Sequence, residues 1–249
     1  MRRTLHAAAA ALQFLTRIPV GPLPWSDDLL GRSALFFPVV GAVVGGGAAI
    51  VNWLAQQRLN DSLRAVAVLA FLVMITGGLH EDALADVADG LGGRHTREKS
   101  LAIMRDSRIG SFGATALGLA LLARYALIAS LPPGRAGATL IGAHVLCRWT
   151  ALPLAAYLPP ARGNDGQGAS FGLHVPHYAV LGGTVIAAVL TASLLGKASL
   201  LPLLVAAALV VVSGWYYRHR LGGITGDCLG AANQVTEIAI YACAVLVHS

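Results

Sequence analysis

Charge is scarce in this chain. Asp, Glu, Lys and Arg make up 12% of its 249 residues, against about 25% in an ordinary soluble domain. Hydrophobic residues reach 56%, and several apolar runs attain the ~20 residues that cross a bilayer as a helix. An ordinary soluble domain is therefore excluded, and helices are the spanning form compatible with such runs. Cysteine is scarce too. Cys147, Cys228 and Cys243 are odd in number and form no CxxC pair, which excludes a disulfide framework and a zinc site. The net charge of +6 comes from scattered bases without interleaved aromatics, so no nucleic-acid partner is expected; anchoring to the bilayer and anionic substrates explain it better. No phosphate-binding P-loop or dinucleotide fingerprint is present, and no Ser-His or Cys-His pairing suggests acyl transfer.

What is present is an all-α pattern, read as one membrane-embedded domain over residues 1–249. Residues Met1 to Leu15 suit a retained amphipathic or re-entrant helix, since Thr16-Arg17-Ile18-Pro19 follows without a clear small-residue cleavage site. About seven spans follow. The first runs over 33–56, with Gly41, Gly45, Gly46 and Gly47 on a packing face. The second starts near Leu63 and runs into an acidic stretch, and the others lie near 110–131, 138–158, 178–195, 200–217 and 228–247. With this count twelve Lys and Arg residues fall on one side and four on the other, so the basic side is expected in the cytoplasm. The loops long enough for chemistry share that side. Of the basic residues only Arg124 and Arg148 lie within spans, and no internal repeat is visible. Both points favour an enzyme over a transporter.

The stretch from Gly77 to Gly90 holds Glu81, Asp82, Asp86 and Asp89, four of the twelve acidic residues, with no base among them. On a helix turning ~100° per residue, Asp82, Asp86 and Asp89 share an arc of about 60°. Such a stripe repels itself, and ionised groups near lipid need partners. A hard divalent cation such as Mg²⁺ satisfies both conditions. A second segment, Met104 to Gly113, places Arg105, Asp106, Ser107, Arg108 and Gly110 before a helix. Glycine and arginine suit phosphate there, unless Ser111 merely caps the helix. A third, Arg218 to Glu237, puts Gly226 and Asp227 at the start of a span, with Asn233 and Glu237 one turn apart inside it. Asp227 is suited to be the N-cap. Buried polar groups such as Asn233 and Glu237 point to function. His80 adjoins the acidic cluster as a base or carboxylate holder. His174 and His177 flank Val175-Pro176, a poor helical metal pair, and 162–172 reads as a loop able to cover a substrate. Carboxylate-held metal with two glycine-plus-arginine loops fits phosphoryl transfer.

These residues resemble a known family. Gly77-Gly-Leu-His-Glu-Asp-x-Leu-Ala-Asp-x-Ala-Asp-Gly90 and Ile103-Met-Arg-Asp-Ser-Arg-Ile-Gly-Ser-Phe-Gly113 are similar to the signatures of bacterial cobalamin synthase, adenosylcobinamide-GDP ribazoletransferase. The likeness continues in Gln13-Phe-Leu-Thr-Arg-Ile-Pro-Val20, Phe36-Phe-Pro-Val-Val-Gly41 and Gly226-Asp-Cys-Leu-Gly-Ala-Ala-Asn233, in the family's order and over nearly the whole chain. Ala83 departs from it, standing where the family usually has glycine. The resemblance implies Mg²⁺-dependent attack of the 3′-hydroxyl of α-ribazole, or its 5′-phosphate, on the phosphorus bearing the cobinamide arm of adenosylcobinamide-GDP, with GMP leaving. It carries Glu81, Asp82, Asp86 and Asp89 over as metal ligands. In the roles expected here, Asp82, Asp86 and Asp89 hold magnesium on the pyrophosphate. Asp106 or Asp227 orients the ribose hydroxyl or a second metal, and Arg105 and Arg108 stabilise the leaving GMP. His80, Ser107, Gly110, Gly226, Asn233 and Glu237 complete the substrate-binding set. The expected setting is multi-pass in the bacterial inner membrane, with the active site facing the cytoplasm. Homo-oligomerisation and association with other cobalamin-assembly enzymes stay open. The alternatives are a CDP-alcohol phosphotransferase, whose DGxxAR…GxxxDxxxD pattern is absent because Leu-Gly-Gly-Arg follows Gly90, and a non-catalytic transporter or scaffold.

Overall fold

The computed structural model describes residues 2–24, 26–162 and 175–247. Among these the chain is helical, apart from short 3₁₀ turns and one isolated bridge between Pro160 and Ile224. The first helix, α1 (Arg2–Leu15), buries Ala7, Ala10, Ala11 and Leu15 and exposes residues 2–6. At about 1.5 Å per residue it is too short to cross a bilayer, and it has the expected amphipathic character. A short helix α2 (Asp27–Ser33) and a 3₁₀ turn lead into α3 (Phe37–Ala55). Asn60 then caps α4 (Asp61–Thr76) by accepting from the Leu63 amide at 2.9 Å.

The expected second span is not one straight helix. Gly77 and Gly78 take φ of 69° and 73°, a left-handed pair that glycine adopts without a Cβ penalty. The acidic helix α5 (Leu79–Gly92) consequently leaves α4 at 86°. The short α6 (Arg97–Ile103) precedes α7 (Ser111–Ala129). Then come α8 (Ala136–Trp149) and α9 (Ala151–Tyr157), α10 (His177–Leu195), a 3₁₀ turn and α11 (Leu200–Leu221), and α12 (Gly226–Leu246).

Five segments among the described residues are long and apolar enough to cross a membrane: Asp28–Ala55, Ser111–Ala129, Ala136–Tyr157, His177–Leu221 and Gly226–Leu246. There are six if α4 and α5 form one broken span. The His177–Leu221 segment contains two of the seven expected spans, and its 45 residues far exceed the ~20 that one crossing needs. The α8–α9 segment is central, while α10 and α11 expose Leu181, Val185, Val189, Leu204, Val211 and Val212 on the outside. That outward apolar surface is what lipid requires.

Close helix packing sets the position of the interior side chains. A Cβ at Gly41 of α3 would collide with the His144 carbonyl of α8, and one at Gly45 would lie 2.6 Å from the Ile141 Cα. This small-xxx-small seam brings the two backbones together. Gly47 faces Phe71 of α4 instead, and Gly46 meets nothing within 4 Å, so only part of the expected glycine face packs.

Candidate active site

The stripe on α5 is joined by a carboxylate from α12. Thr225, not Asp227, is the N-cap of α12, accepting from the Cys228 amide at 3.3 Å. Asp227 is thereby left to face the acidic helix. Asp82 and Asp86 accept no hydrogen bond among the described residues. Burial together with the neighbouring Asp82, Asp227 and Asp89 pushes Asp86 up to about 6, with Arg162 opposing the shift. Arg162 lies 3.4 Å from Asp227. The sequence stripe has therefore become a two-helix cluster with one basic neighbour.

Asp89 has a different task. Its two oxygens accept from the amides of Gly110 at 2.7 Å and Gly113 at 2.8 Å. It caps α7 from a neighbouring helix, where free N–H groups and the helix dipole favour a negative charge. Ser111 supplies no cap of its own. A Cβ at Gly110 or Gly113 would run into this carboxylate, which is the physical reason for glycine at both positions. The Gly110 amide thus binds Asp89 and is not left free for phosphate.

Two expected residues turn elsewhere. Glu81, expected as a metal ligand, points into the bundle, accepts from Arg124 of α7, and takes a hydrogen bond from Gln234 Nε2 at 3.1 Å. Glu237, expected to bind substrate, is 2% exposed and accepts from Arg124 Nε at 2.9 Å. The reason for both corrections is the same. A guanidinium in a membrane interior must be neutralised, and Arg124 takes these carboxylates. His144, Cys147 and Glu237 present ligand atoms within 4.8 Å of one another, a grouping that invites a cation. Glu237 is already paired, however, and His144 Nδ1 accepts from Arg148 Nη1 at 2.9 Å, so the local charge opposes one. With Nδ1 accepting, the neutral ring carries its proton on Nε2, which lies 3.1 Å from the Tyr241 hydroxyl.

Two cavities flank Asp82. The first, about 240 Å³, lies between α1, α3, α5, α8 and α12; Phe14, Phe37, His80, Asp82, Arg148, Gly226, Asp227 and Asn233 contribute to its lining. The second, about 580 Å³, is bounded by Arg17, Gly77, Gly78, Asp86, Ser107 and Ile109, and shares Phe14, Leu79 and Asp82 with the first. His80, Asp82, Asp86, Ser107, Gly226, Asp227 and Asn233 are thus brought together as expected. Burial, then the nearby Arg148, pulls the His80 pKa well down. Ala83 lines the first cavity and packs against Gly230 of α12, where a Cβ would strike its methyl. The extra methyl at 83 is accommodated by the missing one at 230.

The structure does not bring Asp106, Arg105 or Arg108 into either cavity. Asp106 and Arg108 are joined to each other at 2.6 Å on the surface, which holds the Asp106 pKa down at about 2, and Arg105 is exposed. Beyond Arg162, the expected covering loop falls outside the described residues, as does His174; His177 starts α10 and is exposed. Sequence reasoning gave no role to Phe14, Arg17, Phe37 or Arg148. For Arg148 the signal existed, because a charge inside a span is a functional pointer.

The chain is similar to known proteins over nearly its whole length. The family model described as Cobalamin-5-phosphate synthase matches residues 7–245. A Polaromonas sp. (strain JS666) protein named adenosylcobinamide-GDP ribazoletransferase is 41% identical, with 93% of each chain covered. Proteins of the same name from Ralstonia nicotianae (38% identical, 96% of this chain and 95% of the relative) and Shewanella amazonensis (37%, 100% and 98%) are similar over their length as well. No solved structure matches the chain significantly. Matched from α1 to α12, this chain belongs to the cobalamin-5-phosphate synthase family of transferases.

Proposed function

We propose that the chain joins adenosylcobinamide-GDP to α-ribazole or its 5′-phosphate and releases GMP, with Mg²⁺ required, at the cytoplasmic face of the bacterial inner membrane. The observation that carries this reading is the meeting of Asp82 and Asp86 on α5 with Asp227 on α12, at the junction of two cavities. The names of the relatives supply both substrates. In the exchange, the 3′-hydroxyl oxygen of the acceptor forms a bond to the phosphorus bearing the cobinamide arm. The bond from that phosphorus to the bridging oxygen breaks, GMP departs with the electron pair, and the hydroxyl proton is taken up by a base.

The donor set suits a hard divalent ion: Asp82 and Asp86 accept no hydrogen bond among the described residues, and burial, then the crowding of like charges, pushes Asp86 up to about 6. Asp82 and Asp86 would hold the ion, with Asp227 beside them, and when bound it neutralises charge on phosphate oxygens. Asp89 serves this site from behind by fixing α7 to α5. Asp227 lines the first cavity and is the group placed to orient the acceptor hydroxyl, a role that Asp106 is too far outside the cavities to fill. Ser107 and Arg17 line the second cavity and face the donor's phosphates there.

The deciding experiment incubates detergent-purified protein with adenosylcobinamide-GDP and α-ribazole or its phosphate, with and without magnesium. Metal-dependent GMP release matched by nucleotide-loop formation is expected. Intact substrates beside folded protein would overturn the reading and send the search to CDP-activated lipids, then to transport.

A further inference from the structure

Three arginines are buried among the described residues, and they are satisfied differently. Arg64 donates to Asn52, Asp61 and the Ala129 carbonyl. Arg124 donates to Glu81 and Glu237. Arg148, 1% exposed in the middle of the α8–α9 segment, has no carboxylate within 4 Å among the described residues. Among the described residues its hydrogen bonds all leave from Nη1, to His144 Nδ1 at 2.9 Å, the His144 carbonyl at 3.3 Å and Cys147 Sγ at 3.5 Å. Among the described residues its buried Nε has no acceptor, and no hydrogen bond leaves Nη2. The unused Nε–Nη2 edge is the side of a guanidinium whose two parallel N–H groups match a pair of phosphate oxygens.

The charge balance around it explains how this donor pair persists. Arg124 with Glu81 and Glu237 carries one net negative charge, and His144 stands between that group and Arg148, its Nε2 3.8 Å from Glu237. Arg124, Arg148, Glu81 and Glu237 together are neutral, so Arg148 keeps its charge without spending its fork on a carboxylate. The residue lines the first cavity, together with Phe14, Phe37 and Leu229. The apolar part of that lining strengthens an ion pair formed beside it, while Asp82 and Asp227 stand on the same lining. At about 240 Å³ the cavity falls below the ~300 Å³ where pockets for whole drug-sized ligands begin, so it takes one end of a substrate.

Resting on the proposed reaction, we infer that Arg148 is a phosphate-binding residue whose Nε–Nη2 edge grips a substrate phosphate group in the first cavity. Two groups carry that chemistry, the 5′-phosphate of the acceptor and the diphosphate of the donor.

The test uses the full-length protein in detergent with Arg148→Gln and Arg148→Lys. Inorganic pyrophosphate is titrated first, with thermal unfolding as the readout. It should stabilise the wild type, and both variants, lacking the bidentate charged contact, should bind it at least about tenfold more weakly, a loss of about 1.4 kcal/mol. Lysine keeps the charge and a donor for His144 but lacks the fork, so Arg148→Lys serves if Arg148→Gln does not fold. Michaelis constants then identify the source. A rise for ribazole 5′-phosphate, with those for free ribazole and for the donor unchanged, assigns the acceptor phosphate. A rise for adenosylcobinamide-GDP with either acceptor assigns the donor diphosphate. Unchanged pyrophosphate binding in Arg148→Lys, or unchanged constants for both substrates, overturns the inference. Should the wild type release no GMP, the proposed reaction falls, and the pyrophosphate titration still decides Arg148.

Discussion

Replacing Asp86 and Asp89 one at a time is expected to move thermal stability in opposite directions, although the two share one helical stripe. Asp89 holds the Gly110 and Gly113 amides at 2.7 and 2.8 Å. Hydrogen bonds to a charged acceptor contribute about 1.5–3 kcal/mol each. Asp89 is only half-buried, so the lower end applies and the pair is worth about 3 kcal/mol. For a chain of this size one kcal/mol moves the midpoint by about 2–4 °C, and Asp89→Ala should melt about 6–12 °C below the wild type. Asp86 makes no hydrogen bond among the described residues and is crowded by Asp82, Asp227 and Asp89. Asp86→Asn removes that repulsion, a gain of less than about 1 kcal/mol once solvent screening is allowed for. The assay is tryptophan fluorescence on heating in detergent, with chelator, well above pH 6. Magnesium added to the same samples should stabilise the wild type and not Asp86→Asn. Wild-type melting by Asp89→Ala, or a lower midpoint for Asp86→Asn in chelator, would refute the division of labour between the two carboxylates.

Gly113→Ala forces a Cβ into Asp89 and to 2.8 Å from the Ala85 carbonyl, so it should destabilise about as much as Asp89→Ala does in the same melt. Arg124→Leu leaves Glu81 and Glu237 buried without their cation, a loss of about 3–5 kcal/mol; adding Glu81→Gln and Glu237→Gln should recover much of it, as compared by midpoint. Magnesium affinity, followed by calorimetry, should weaken as pH falls through about 6, where Asp86 takes up its proton. The sign for stability is the reverse of that for a paired carboxylate. A raised folded-state pKa means that, without metal, ionising Asp86 costs stability as pH rises from about 3.8 to about 6.

The helical class was legible in the sequence because long apolar runs leave no other satisfied backbone in lipid. The acidic stripe was legible because helix periodicity alone puts Asp82, Asp86 and Asp89 on one face. Period says nothing of a residue's partner across the bundle. Glu81 is adjacent to Asp82 in sequence yet rotated about 100° from it, and only the placement of Arg124 on α7 shows that this rotation aims it inward. Likewise the 86° bend at Gly77 and Gly78, the use of Asp89 as a cap for a helix 22 residues later, and the pairing of Asp106 with Arg108 outside the cavities depend on how helices meet. The sequence by itself determined the helices, the carboxylates and the family, since these follow from local pattern and composition. Tertiary structure decided which carboxylates remain free, because a charge in a low-dielectric interior is defined by the group opposite it, and that group comes from a different part of the chain.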